Sequence, residues 1–182
     1  MGKRSNFERN ARDFYATPQK AVEPLRSLIA GSRFIEPCAG DGRFKDFFPN
    51  ECIFMSDIAP QGTRNYIKQF DVFGYTKEIV NRHDMIDYFV TNPPFLNSKE
   101  SGWQLNRMIL HLASIRPTWL LLPFDYACNK KSYDCMVQCQ YILPIGRVQW
   151  IEGSGISSTD NYAWFKFVDK PVDTIFIERG PH

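Results

Sequence analysis

The sequence is organised around Ile86-Asp87-Tyr88-Phe89-Val90-Thr91-Asn92-Pro93-Pro94-Phe95-Leu96-Asn97, which joins an apolar run to a proline-rich turn. The run Tyr88-Phe89-Val90 lacks in/out alternation, which is typical of a central parallel strand covered on both faces. The strand is expected to end at Asn92, because neither of the prolines that follow carries the N–H that a strand ladder needs. A carboxamide, a free carbonyl and an aromatic ring are therefore predicted to meet at the carboxyl end of a strand, where open α/β sheets bind ligands.

The tetrapeptide Asn92-Pro93-Pro94-Phe95 resembles the catalytic motif of methyltransferases that use S-adenosylmethionine to modify amino groups, above all the DNA adenine-N6 family. The resemblance implies that the Asn92 side-chain oxygen and the Pro93 carbonyl accept hydrogen bonds from the target amino group. It also implies that Phe95 stacks on a flipped base, which offsets part of the cost of unstacking that base. The alternative is that Asn-Pro-Pro is only a turn.

A second motif lies upstream, in Ser32-Arg33-Phe34-Ile35-Glu36-Pro37-Cys38-Ala39-Gly40-Asp41-Gly42-Arg43-Phe44. It reads as a strand, a glycine-bearing turn and the start of a helix, and it resembles the cofactor-binding motif of class I methyltransferases. A dinucleotide-binding fingerprint would need a third glycine, which is absent. The resemblance implies that Glu36 holds the cationic amino group of the cofactor's methionine moiety, and it places these residues against the cofactor: Glu36, Cys38, Ala39, Gly40 and Gly42.

Two further acidic residues follow predicted strands. Asp57 comes 21 residues after Glu36, about where nucleotide-binding α/β folds place the carboxylate that binds ribose hydroxyls, and Ile58 adjoins it. Asp71, followed by Val72, resembles the family position that accepts from the cofactor's adenine amino group, with the next backbone N–H binding a ring nitrogen. Either aspartate could instead be a turn residue.

A helix is predicted from Lys20 to Ile29, with Thr17 as its N-cap and Pro18 at its first position. In the adenine methyltransferase family a similar segment, here including Phe14, Thr17 and Pro18, lies against the methionine end of the cofactor. The alternative is an ordinary capped helix.

The rest of the chain supplies the predicted remainder of the sheet. Leu105, Met108, Ile109 and Leu112 have helical spacing, and Thr118–Phe124 reads as a second buried strand. Residues 130–140 are expected to form a crossover helix. Three strands are expected at residues 147–151, 162–168 and 174–177.

Substrate contacts are expected from two loops around these elements. The polar segment 96–102 could act as a lid and supplies Asn97 and Lys99. The hairpin expected in the last third of the chain supplies Asn161 and Tyr162. Trp164 is also a candidate for the substrate side, but a core position is the preferred interpretation.

Composition indicates an ordinary globular domain of 182 residues, with 43% hydrophobic and 23% charged residues. No apolar run approaches the roughly 20 residues of a membrane span, so a cytoplasmic location is the default, in a bacterial host if the chain is phage-encoded. Five cysteines without C-x-x-C spacing favour reduced thiols and no metal site. The net charge of +2 is too small to identify a nucleic-acid partner.

The order of the motifs predicts a Rossmann-like class I methyltransferase fold, with a mostly parallel seven-stranded sheet, helices on both faces and an antiparallel last strand. Residues 1–12 are expected to form a basic flexible arm and residues 13–182 a single catalytic domain. The layout is similar to small phage-type DNA adenine methyltransferases without a separate target-recognition domain. The expected activity is methylation of adenine N6 in DNA with S-adenosylmethionine as cofactor.

Several alternatives stay open at this point. The substrate could be an RNA base or a protein glutamine, and the chain could be a cofactor-binding module that needs a partner subunit or acts without catalysis. A homodimer or a partner protein could supply target recognition.

Overall fold

A single mixed sheet forms the centre of the computed structural model, which describes residues 15–83, 85–94, 101–151 and 157–178. In these residues the strand order is β3-β2-β1-β4-β5-β7-β6-β8. The strands are β1 (Phe34–Glu36), β2 (Cys52–Asp57), β3 (Lys68–Gln69), β4 (Tyr88–Thr91), β5 (Thr118–Pro123), β6 (Cys139–Arg147), β7 (Asn161–Phe167) and β8 (Ile175–Phe176).

The sheet is mostly parallel, as predicted, but the described residues contribute eight strands to it and not the expected seven. Strands β1 to β5 run parallel to one another, and β7 is antiparallel to both β5 and β6. The antiparallel strand therefore lies inside the sheet. The last strand along the chain is the short edge strand β8, which is parallel to β6.

Helices cover both faces of this sheet, as the sequence predicted. The α-helices are α1 (Gln19–Val22), α2 (Arg26–Ile29), α3 (Phe44–Phe47), α4 (Lys77–Asn81), α5 (Ser101–Ile115) and α6 (Tyr133–Met136). Apolar residues of α1 to α3 belong to one buried cluster, which includes Trp164 and Leu121. Those of α4, α5 and α6 belong to two other clusters, around Phe89 and Phe165.

The helix expected at residues 20–29 is interrupted. A 3-10 turn, Glu23–Leu25, separates α1 from α2 and contains Pro24, which lacks the backbone N–H that a continuous α-helix needs. Of the four apolar residues expected on its inward face, Val22, Leu25 and Ile29 are buried and Leu28 is half-buried.

The largest correction concerns β6. Residues 130–140 were expected to be a crossover helix and 147–151 a strand, whereas α6 ends at Met136 and the strand runs from Cys139 to Arg147. Pro144 and Gly146, residue types that are uncommon inside strands, both lie within β6. In the fold they sit at a register shift against β7, where Gly146 adopts a φ of 79°.

Other predicted elements agree with the structure. Met108, Ile109 and Leu112 are buried on α5, and the run at 118–124 forms β5 up to Pro123. Trp164 is fully buried, which confirms it as a core residue. No helix in the described part of the chain is long and apolar enough to span a membrane.

Candidate active site

The predicted site residues meet at the carboxyl ends of three neighbouring strands. Strand β1 lies between β2 and β4, and these strands end at Glu36, Asp57 and Thr91 respectively. Asn92 follows Thr91 directly. The hydroxyl of Thr91 donates to the carbonyl of Cys38 (3.4 Å), which ties the end of β4 to the turn after β1.

Asn92 has one end of its carboxamide held and the other end free. Its Nδ2 donates to the hydroxyl of Thr17 (3.1 Å) and weakly to the carbonyl of Tyr15 (3.5 Å). A carbonyl can only accept, so the amide nitrogen has to face Tyr15 and the amide oxygen has to point away. That oxygen, Oδ1, is buried and has no hydrogen-bond partner in the structure.

The prolines after Asn92 differ in exposure: Pro93 is buried and Pro94 is exposed. Three other predicted residues, Phe95, Asn97 and Lys99, lie outside the described residues, as do Phe14 and the segment 152–156. Their expected roles therefore stay predictions.

Thr17 does not have the capping role that the sequence predicted. The residue preceding α1 is Pro18, and no side chain caps this helix. The buried Thr17 hydroxyl instead accepts from Asn92, which is 75 residues away in sequence.

Glu36 is a buried carboxyl group with an unused acceptor. Only 2% of the residue is exposed, and Oε2 has no hydrogen-bond partner. Burial raises the pKa of Glu36 well above its usual value, and the nearby carboxylates of Asp41 and Asp57 raise it further. A cation placed at Oε2 would relieve both effects.

The turn after β1 is folded tightly against the end of β2. The N–H of Gly40 donates to Oδ2 of Asp57 (2.8 Å), and the carbonyl of Gly40 accepts from the N–H of Gln61 (2.8 Å). Gly42 has a φ of 78°, and a Cβ built there would lie 2.9 Å from Cδ1 of Ile67. Only glycine fits this position without displacing its neighbour.

Cys38 and Ala39 lie within the same turn, as predicted. Ala39 is buried and its N–H donates to the carbonyl of Ser56 (2.9 Å). Burial, followed by the charge of Asp57, raises the pKa of the Cys38 thiol, so this cysteine stays protonated and is a poor nucleophile.

Asp57 is both a structural anchor and an available acceptor. Besides binding Gly40, it accepts from the N–H of Ala59 through Oδ1 (2.8 Å). A carboxylate has about four acceptor positions, so these two bonds leave capacity for ligand hydroxyls. The neighbouring Ile58 is 65% exposed, which is unusual for a large aliphatic side chain and leaves an apolar surface beside the carboxylate.

Asp71 is exposed and begins the 3-10 turn Val72–Gly74, where its Oδ1 accepts from the N–H of Phe73 (2.9 Å). This is the turn role that the sequence left open, and it does not use the second carboxylate oxygen. The carbonyl of Asp57 accepts from the N–H of Phe70 (3.0 Å), so the start of this turn lies beside the end of β2.

Two aromatic residues were not among the predicted site residues: Tyr15, whose carbonyl accepts from Asn92, and Trp150, which contacts the Tyr15 ring. Trp150 lies between Tyr15 and Tyr162, with ring centroids 6.3 Å and 5.0 Å away. Of the predicted hairpin residues, Tyr162 is mostly buried and Asn161 is exposed. The only sequence signal was the density of aromatic residues, because the contact between Tyr15 and Trp150 depends on the fold.

Neither a protein-family model nor a curated protein matches this sequence. Three solved structures resemble it in fold. A Pyrococcus horikoshii protein proposed to be an RNA methyltransferase has a TM-score of 0.57 and 12% identity, with 93% of this chain and 94% of that chain covered. A chain from a type I R-M system has a TM-score of 0.54 and 14% identity, with 87% and 43% covered.

The third is a Listeria monocytogenes protein proposed to be a class I S-adenosylmethionine-dependent methyltransferase, with a TM-score of 0.53, 10% identity, and 88% and 64% covered. The present chain thus spans less than two thirds of the R-M and Listeria chains. At these identities the likeness defines the fold: a Rossmann-like sheet of the class I methyltransferase type.

Proposed function

We propose that this chain transfers a methyl group from S-adenosylmethionine to the N6 amino group of adenine in DNA. The observation that carries the proposal is the buried, unpartnered Oδ1 of Asn92 at the carboxyl end of β4. An unpaired buried acceptor costs free energy, about 1–3 kcal/mol, and such atoms in a cleft are candidates for ligand binding.

The Asn92 turn suits an amino group attached to an aromatic ring. The lone pair of such an amine is delocalised into the ring, which makes it a weak nucleophile. Oδ1 of Asn92 and the carbonyl of Pro93 would each accept one of its two N–H groups and draw the nitrogen toward a pyramidal geometry. Neither acceptor is a strong base, and the amine does not have to be deprotonated before the methyl transfer.

The residues at the ends of β1 and β2 fit the cofactor. Glu36 offers a buried carboxyl oxygen to a cationic amino group, and Asp57 offers acceptor capacity to ribose hydroxyls. Ile58 offers an exposed apolar surface to an adenine ring. When bound, S-adenosylmethionine supplies a methyl group on a positively charged sulfur. Gly40 and Gly42 allow the backbone to approach the ligand closely.

Other predicted contacts complete the proposed cofactor site. Pro18 would lie near the methionine end, and Asp71 with the N–H of Val72 near the adenine. The exposed Asp71 has one carboxylate oxygen that the turn does not use.

The aromatic side chains beside Asn92 support a planar substrate. Tyr15, whose carbonyl accepts from Asn92, begins a series of ring contacts that continues to Trp150 and Tyr162, and Phe95 is the expected stacking partner within the motif. Stacking contributes about 1–3 kcal/mol per base, comparable with the cost of extruding a base from a duplex.

The test is transfer of tritium from labelled S-adenosylmethionine to unmethylated DNA, RNA and cell-extract protein in parallel, followed by nucleoside and amino-acid analysis. We expect label in N6-methyladenine of DNA. Label in RNA or in protein glutamine would overturn the substrate and retain the chemistry. Cofactor binding without any transfer would overturn the enzymatic assignment for the isolated chain.

Asn92→Ala tests the assignment of the acceptor. We expect the rate of transfer to fall at least about 100-fold, the usual scale for losing a preorganised polar group that acts on the reacting atoms. The dissociation constant of the cofactor should change by less than about threefold, because Asn92 is assigned to the substrate. Asn65→Ala, in an exposed turn, is the matched control. Normal transfer by Asn92→Ala would contradict the mechanism.

A further inference from the structure

The orientation of the Asn92 carboxamide decides whether it can bind an amino group. Rotation by half a turn about its last side-chain bond would replace the acceptor oxygen with two N–H donors, which repel the N–H groups of a substrate amine. An asparagine side chain has only a shallow preference between these two arrangements. Some neighbouring group has to select one of them.

The Tyr15 carbonyl selects the arrangement, because it can only accept, and the Thr17 hydroxyl holds the selected nitrogen at the shorter distance. Its hydroxyl lies 3.1 Å from Nδ2 of Asn92, whereas the Tyr15 carbonyl lies at 3.5 Å, near the limit of a hydrogen bond. The Thr17 residue is 6% exposed, so water cannot readily replace its hydroxyl. The missing helix-capping bond leaves this hydroxyl for Asn92.

The backbone around Thr17 is also fixed relative to β4. Pro18 restricts the residue before it to extended geometry. Three residues further on, the carbonyl of Ala21 accepts from the indole N–H of Trp164 (2.8 Å), a fully buried residue in the middle of the sheet. Both restraints lie just after Thr17 in the chain, and they hold the backbone segment that carries its hydroxyl.

We propose that Thr17 is a positioning residue that holds the Asn92 carboxamide in the orientation selected by the Tyr15 carbonyl, with Oδ1 facing the substrate amine, an inference that rests on the proposed function. This role differs from the cofactor contact that the sequence motif implies for the same residue. If Thr17 contacts the cofactor, removing its hydroxyl should weaken cofactor binding. If Thr17 only positions Asn92, cofactor binding should stay nearly unchanged.

The experiment compares Thr17→Val, which keeps the shape and removes the hydroxyl, with Thr17→Ser, which keeps the hydroxyl. We expect the single-turnover rate of methyl transfer to DNA to fall about tenfold in Thr17→Val, the size of one lost hydrogen bond. The dissociation constant of S-adenosylhomocysteine should stay within about twofold. Thr17→Ser should keep a rate close to that of the wild type.

A second readout is independent of activity. The side-chain amide signals of Asn92 in a ¹⁵N–¹H spectrum are identified by their loss in Asn92→Ala. They should shift and exchange faster with solvent in Thr17→Val, and stay in place in Thr17→Ser. Unchanged signals in Thr17→Val would overturn the proposed contact.

The outcomes separate the two proposals. If the wild type methylates DNA and Thr17→Val does so at the same rate, the positioning role is wrong and the proposed function stands. A loss of cofactor affinity that matches the loss of rate would assign Thr17 to the cofactor instead. If the wild type transfers no methyl group to any substrate, the proposed function fails and the positioning role fails with it.

Discussion

Replacing Glu36 with glutamine should have opposite effects on cofactor binding and on stability. The substitution keeps the size of the side chain and an acceptor oxygen, and it removes the ionisable group. A hydrogen bond between charged groups is worth about 1.5–3 kcal/mol, so losing its charge should weaken cofactor binding about 10- to 150-fold at neutral pH.

Cofactor affinity should also depend on pH, in a direction that follows from the raised pKa of Glu36. Because burial raises the pKa of Glu36, the carboxyl is protonated in the free protein over a range of pH where an exposed glutamate is charged. Binding a cationic amino group favours the charged form, so cofactor affinity of the wild type should rise with pH, by up to about tenfold per pH unit, until the raised pKa is reached. The affinity of Glu36→Gln should be flat over the same range.

Stability without cofactor should change in the opposite direction. A carboxyl whose pKa is raised by folding contributes stability that is complete below its unfolded pKa of about 4.5 and is lost as pH rises through the folded pKa. Each unit of the upward shift costs about 1.4 kcal/mol at alkaline pH. The glutamine variant avoids this cost and should be more stable than the wild type at pH about 8.

The assays are calorimetric titration with S-adenosylhomocysteine and urea unfolding, each between about pH 5 and pH 8. Glu178→Gln removes the same charge at an exposed position beyond β8 and is the control. Equal cofactor affinity for Glu36→Gln and the wild type at every pH would refute the assignment of Glu36 as a ligand. A Glu36→Gln variant that is less stable than the wild type at pH about 8 would refute the argument from the raised pKa of Glu36.

Two other substitutions test the fold around the site. Gly42→Ala combines a left-handed backbone with a Cβ 2.9 Å from Ile67, whereas at Gly31 φ is 73° and a Cβ would have no atom within 4 Å. We expect Gly31→Ala to lower the free energy of unfolding by about 1–2 kcal/mol, and Gly42→Ala to lower it further and to weaken cofactor binding. Urea unfolding and cofactor titration measure the two effects. Equal losses at the two glycines would contradict the described packing. Trp164→Phe removes the indole N–H that binds the Ala21 carbonyl and should lower the free energy of unfolding by about 2–4 kcal/mol in the same urea assay; a change below 1 kcal/mol would show that this bond is dispensable.

The parts of the site that follow from local sequence were predictable. Strands β1 and β4 are each followed within a few residues by proline or glycine, whose effects on the backbone are local and need no distant partner. Glu36, Gly40, Asp57 and Asn92 accordingly lie at the ends of neighbouring strands, as expected.

The parts that depend on long-range packing were not predictable. The strand β6 was missed because residues 130–140 were interpreted as one helix, and only pairing with β7 shows that a register shift accommodates Pro144 and Gly146 inside a strand. The bond between Thr17 and Asn92 joins residues from distant parts of the chain, while the local pattern around Thr17 favoured a helix cap. Where a side chain can bind either a neighbour in sequence or a distant residue, the sequence pattern indicates only the bond to the neighbour.

The position of β7 between β5 and β6 has a consequence for the order of folding. Strands β5 and β6 are consecutive along the chain but do not pair, and each forms its ladder with β7. During synthesis, β5 and β6 emerge from the ribosome before β7, the strand that pairs with both. Until β7 is available, the edge of β5 that carries Leu120, Leu121 and Leu122 has no strand partner. This half of the sheet should therefore close only after Phe167 has left the ribosome, and a stalled chain ending near residue 151 should be prone to aggregate.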